Sequence, residues 1–117
     1  ETPKITPVST SNYRADKDTI LKKLAEIESR SGKVRKLLDT NNRYSLGLYH
    51  FQAHTVKDMY KRYYKQNITI TEAVAIAQDD ELATKLAHDA IFVKGEKWHW
   101  HNSMKKMAKV GLVAYNN

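Results

Sequence analysis

From Asp16 onward, apolar residues recur at the spacing of one helix face: Ile20, Leu21, Leu24 and Ile27 line up, with Asp16 or Asp18 placed to cap the start and Gly32 near the end. This predicts a first helix. After a turn-rich Asp39-Thr40-Asn41-Asn42 segment, Tyr44 to Phe51 forms a short apolar and aromatic stretch around Gly47, which reads as a short strand or a tight loop entering the next helix. Thr55 followed by Asp58 has the form of a capping box, and Val56, Met59, Tyr60 and Tyr63 continue at helical spacing to about Gln66. Thr69 and Glu72 repeat the pattern ahead of Ala73, Val74, Ile76 and Ala77. Asp79 or Asp80 then caps a longer helix through Leu82, Ala83, Leu86, Ala87, Ala90, Ile91 and Val93, stopped by Gly95. Trp98, Trp100, Met104 and Met107 predict a last helical segment before Gly111. The expected class is mainly α, with no internal repeat and no support for an extended β-sheet.

Composition narrows the picture. The chain has 117 residues, the size of one domain, and its 41% hydrophobic and 28% charged content is that of a folding globular chain. Pro3, Pro7 and the Ser9-Thr10-Ser11-Asn12 cluster mark residues 1–15 as an extended N-terminal arm, leaving 16–117 as the folded domain. Zero cysteines exclude disulfides, thiolate metal sites and cysteine nucleophiles. Twenty basic against 13 acidic residues give a net charge of +7, which favours an anionic partner: nucleic acid, an acidic membrane surface or an anionic polysaccharide. No apolar run approaches the ~18 residues of a membrane span. The chain opens at Glu1 without a signal-peptide core, so any targeting segment is expected to be missing from it.

Glu28 is the first candidate for chemistry. It lies four residues after Leu24 and seven after Leu21, which places a carboxylate on the buried stripe of the first helix. Burial raises a carboxyl pKa, and a carboxyl kept protonated can serve as a general acid. The plainer reading puts Glu28 at the stripe's edge, paired with Arg30, Lys33 or Arg35.

Glu28-Ser29 at a helix end, followed by Ser45-Leu46-Gly47-Leu48-Tyr49-His50-Phe51-Gln52 and then Thr55, resembles the lysozyme-like superfamily. The likeness is to goose-type lysozymes, small lytic transglycosylases and bacterial or phage muramidases, and covers roughly residues 22–59. It implies a lysozyme-like helical domain that cleaves the β-1,4 bond between N-acetylmuramic acid and N-acetylglucosamine in peptidoglycan. Glu28 would be the general acid/base, and Ser45, Tyr49, His50 and Gln52 would line the sugar cleft. The implied partner is the glycan strand, met outside the cytoplasm by a monomer without a cofactor. Two positions depart from the pattern. His50 stands where glutamine is usual, and Ser45 stands where animal-type lysozymes have a second carboxylate. A retaining or inverting hydrolase needs that second carboxyl. A lytic transglycosylase does not, because its one glutamate protonates the glycosidic oxygen and then deprotonates the sugar's own 6-hydroxyl, leaving a 1,6-anhydro end. Asp39 is the spare carboxylate that a muramidase would use, unless it only caps its own turn.

The remaining signals are weaker. Tyr60 and Tyr63 belong to a core stripe, Trp98 and Trp100 suit a cleft wall or core closure, and Tyr49 is the best candidate for sugar contact. His50 and His54 have i, i+4 spacing and His99 and His101 add two rings, but without a His-Glu-x-x-His pattern no metal site is expected. Four glycines form no phosphate loop. The alternative to an enzyme is a non-catalytic basic helical module that binds glycan or nucleic acid. No nucleic-acid-binding motif supports specific recognition of the latter.

Overall fold

The computed structural model describes residues 13–113. Most of the predicted arm, residues 1–12, lies outside them. Tyr13 forms an antiparallel bridge to Val113, and its ring packs edge-on against Phe92. Helix α1 spans Lys17–Ser29, and Asp16 caps it by accepting the Thr19 N–H at 2.8 Å. Its end is fixed by the buried Ser29, whose hydroxyl donates to Ala25 O at 3.1 Å and accepts the Gly32 N–H at 2.9 Å. Arg30, Ser31 and Gly32 then take positive φ values of 53°, 57° and 92°, which turns the chain sharply out of the helix.

Three short strands follow: β1 (Lys36–Leu38), β2 (Tyr44–Leu46) and β3 (Phe51–Gln52), antiparallel in that order. Register sets Leu37 and Gln52 on either side of Ser45, so the three share one face. The Tyr44–Phe51 stretch is therefore strand, tight turn and strand in succession. β1 carries no predictive pattern, because all three of its residues are exposed.

Helix α2 spans Ala53–Tyr64 and starts two residues before the predicted Thr55 cap. Its N-cap is Gln52, with no side-chain capping bond, because the chain passes from the β3 ladder straight into the helix. Thr55 thus sits inside the first turn. Tyr63 is buried and Tyr60 half-buried on the core side, as their spacing predicts. Helix α3 (Ile70–Gln78) has the predicted capping box, with Thr69 Oγ1 accepting the Glu72 N–H at 3.1 Å and Glu72 Oε1 accepting the Thr69 N–H at 2.8 Å. Asp79 caps α4 (Asp80–His88) through the Leu82 N–H at 2.9 Å.

The predicted run of α-helix to Val93 is interrupted. From Asp89 to Val93 the backbone widens into a π turn, closed by Lys94 N–H on Asp89 O at 2.8 Å. Leu82 and Val93, read as stripe residues, are exposed. Tyr64 and Lys85 hold the Asp89 carboxylate at 2.5 and 2.8 Å, and its pKa falls to about 2 through these bonds despite burial. A 3₁₀ turn (Lys97–Trp100) leads into α5 (His101–Lys109). The core runs between α1, α2, α4 and α5, where Leu24, Met59, Leu86, Met104 and Met107 are fully buried, each contributing about 1.5–3 kcal/mol. The protein is mainly α with a small sheet, and no helix among the described residues is long and apolar enough to cross a membrane.

Candidate active site

The sheet face bearing Ser45 and the end of α1 enclose a cavity of about 320 Å³. Glu28 enters from the last turn of α1, Asp39 from the β1–β2 turn, Ser45 from β2, His50 from the β2–β3 turn and Gln52 from β3. His99 and Trp100 from the 3₁₀ turn close the far side. Five of the six residues singled out from the sequence therefore converge.

The sixth does not. Tyr49 is 3% exposed and turns away into a separate groove beside α1 and α4, where its hydroxyl lies 3.0 Å from Thr84 Oγ1. Its carbonyl accepts the Trp100 indole N–H at 3.1 Å, so Tyr49 supports the cavity from behind and does not line it. Of the two tryptophans, Trp100 fills both expected roles, buried in the core and lining the cavity, whereas Trp98 is 61% exposed and is not among the cavity's lining residues. His50 and His54 line different cavities and do not converge on a common point.

Glu28 pairs with none of Arg30, Lys33 or Arg35. Arg35 instead grips Asp80 with two bonds of 2.8 and 3.2 Å. Glu28 Oε2 accepts the Ser103 hydroxyl, and Oε1 faces His50 Nδ1 at 4.0 Å. Burial raises the Glu28 pKa, reinforced by the negative charge of Asp39, while Ser103, His50 and Lys106 partly offset the rise. The His50 ring is fixed by its Nε2–H, which donates to Val34 O at 2.6 Å and leaves Nδ1 toward the carboxyl.

Asp39 is the opposite case. Its Oδ2 accepts Ser45 Oγ–H at 2.7 Å and Gln52 Nε2–H at 3.0 Å, and Oδ1 accepts the Thr40 N–H at 3.3 Å. These bonds, with that from Ser45 foremost, hold its pKa below the usual carboxylate range. Asp39 is both turn residue and cavity residue: its N–H bonds Arg43 O at 2.8 Å, which closes the β1–β2 turn. Ser45 and Gln52 line the cavity, but their donor atoms are committed to this carboxylate. One cavity thus holds two carboxyls driven in opposite directions, the pattern that separates an acid from its anionic partner.

Two contributors escape a reading confined to residues 16–59. Ser103 sits on the α5 stripe, three residues after Trp100 and four before Met107, so a polar residue on a buried face was the available signal. His99 has no periodic signature. Because the Ser103 bond holds the Glu28 pKa down, Ser103→Ala is expected to raise it further. A general acid works in its protonated form, so the descending alkaline limb of the rate profile should move to higher pH; a limb that stays in place would detach Ser103 from Glu28.

Compared with known proteins, the chain matches no family model, no curated protein and no solved structure.

Proposed function

We propose that the protein is a peptidoglycan-cleaving enzyme of lysozyme-like architecture, acting on the β-1,4 bond between N-acetylmuramic acid and N-acetylglucosamine outside the cytoplasm. The observation that carries this reading is the pairing of Glu28, whose pKa burial raises, with Asp39, whose pKa three donors lower, on the walls of one cleft. With Oε2 engaged by Ser103, Oε1 is the oxygen left to carry the proton into the cleft. Glu28 protonates the glycosidic oxygen, the bond to C1 breaks, and positive charge develops on the sugar ring. Asp39 stabilises that charge electrostatically. The carboxylate expected at the Ser45 position is in this chain supplied six residues upstream, and Ser45 holds it.

The opposite pKa shifts support Glu28 rather than Asp39 as the base of the second step. The bonds that keep Asp39 ionised make it a weak base, whereas Glu28, once ionised, is the stronger base of the pair. Glu28 then takes the proton of the 6-hydroxyl as that oxygen closes on C1, and a 1,6-anhydro end results without water being consumed. The +7 charge assists approach to an anionic wall, an effect that salt weakens. Purified sacculi incubated with the protein should release soluble muropeptides; sacculi left intact at low and moderate salt would remove the reading.

A further inference from the structure

His99 is held on three sides. Its Nε2 lies 3.0 Å from Glu96 Oε1, Trp98 stacks on its face with ring centroids 3.8 Å apart, and Trp100 meets it edge-on at 5.7 Å. Glu96 is itself braced: Arg62 donates to both of its oxygens at 2.5 and 3.0 Å, and the Tyr63 hydroxyl donates at 2.6 Å. Arg62 foremost among these partners lowers the Glu96 pKa to about 2, so the carboxylate is ionised under ordinary conditions and can only accept. The hydrogen between Glu96 and His99 therefore resides on Nε2. In the neutral ring this leaves Nδ1 with its lone pair, and Nδ1 has no partner among the described residues. Yet the ring lines the same cavity as Glu28 and Asp39.

From this arrangement we infer that His99 is a substrate-contacting residue: Nδ1 accepts a hydrogen bond from a hydroxyl or acetamido N–H of the bound glycan, and Glu96 sets its tautomer and orientation. The inference rests on the glycan reading of the cleft and adds the side opposite Asp39 to it. A carboxylate that orients an imidazole through one nitrogen while the other meets the substrate or metal is a recurrent device. Here the arm that carries Glu96 is anchored on α2 through Arg62 and Tyr63, two turns beyond Thr55, the residue by which the same helix lines the cleft.

Two substitutions separate this role from a structural one. Asn superposes its polar end on Nδ1 of histidine, whereas Gln reaches toward Nε2. His99→Asn should keep the substrate contact and leave KM for muropeptide chains within about threefold, although the Glu96 bond is lost. His99→Gln should keep the Glu96 bond and raise KM about tenfold, the loss expected for one hydrogen bond of about 1.4 kcal/mol, with kcat less affected. A ring that only supports the fold gives the reverse order, and that result would overturn the inference. An independent readout is the imidazole nitrogen-15 spectrum of the whole protein, followed as tri-N-acetylchitotriose is added. The expected spectrum has Nε2 protonated, with the Nδ1 signal of His99 shifting on addition. A protonated Nδ1 in the neutral ring, or a Trp100 indole signal that shifts while His99 stays fixed, would refute the His99 assignment and leave the cleft reading standing. Probe that moves neither signal, together with sacculi that stay intact, would remove both.

Discussion

Glu28→Gln is expected to reduce the clearing of purified cell walls by about 10³-fold while leaving the protein folded. The lower bound comes from the acid itself: a positioned general acid contributes roughly 10²–10⁴-fold. In the proposed mechanism the same group also serves as base in the second step, which places the expected loss above the lower end of that range. The stability side has a definite sign. Glu28 has a folded-state pKa above its ordinary value of 4.5, so the folded state disfavours its ionisation and stability declines as pH rises from there through the raised pKa. Gln removes the ionisable group, and Tm near neutrality should be equal to or above that of the parent protein. A Glu28 that served as a structural ion-pair partner would give a lower Tm with Gln. Clearing that survives the substitution would take Glu28 out of the reaction.

Gly47→Ala is expected to be the most destabilising single-methyl change, lowering stability by about 2–4 kcal/mol and Tm by about 10 °C. Gly47 has φ 77°, and a Cβ there would lie 1.8 Å from Ala77 O at the end of α3. That contact is backbone against backbone, so no rotamer change relieves it. Either the β2–β3 turn or the end of α3 must shift, and the turn carries His50 on one side and Ser45 on the other. Wall clearing should therefore fall along with stability. Gly95→Ala provides the comparison, since Gly95 has φ 68° with no atom within 4 Å of the added methyl and should lose only about 1 kcal/mol. Equal melting points for the two variants would show that the close approach at Ala77 is not what requires glycine.

Much of the cleft was legible because its residues are local to strong helix and turn signals. Glu28 could be placed from the α1 stripe alone, and it is half-buried at the edge of that stripe. Asp39, Ser45, His50 and Gln52 fall within 14 residues that fold back on themselves as a hairpin, so their convergence follows from chain proximity. Tyr49 and His50 lie in the β2–β3 turn, where His50 takes a positive φ of 55°, and no strand or helix period tells from the sequence which of the two faces the cavity. β1 was invisible: Lys36–Leu38 is exposed throughout, and its pairing to β2 is set by the Asp39–Arg43 turn rather than by an apolar face. Thr55 looked like a cap, but β3 pairing had already fixed the helix entry at Gln52. Ser103 and His99 reach the site from about 70 residues away in sequence, across a core contact between α1 and α5 that no local pattern announces. At the π turn, Asp89 likewise meets Tyr64 of α2, a partner that the helical period of α4 does not encode.

The proposed division of labour between Glu28 and Asp39 has one direct consequence in the product. With Glu28 as the proposed acid and base and Asp39 as the proposed stabiliser of charge, the muramic acid end released from the wall should be the 1,6-anhydro form. Mass spectrometry of muropeptides released from purified sacculi measures this, since the anhydro end is lighter than the hydrolysed end by one water. The account predicts anhydro ends as the dominant product, lost in Glu28→Gln. Reducing ends carrying the full water as the dominant product would contradict it.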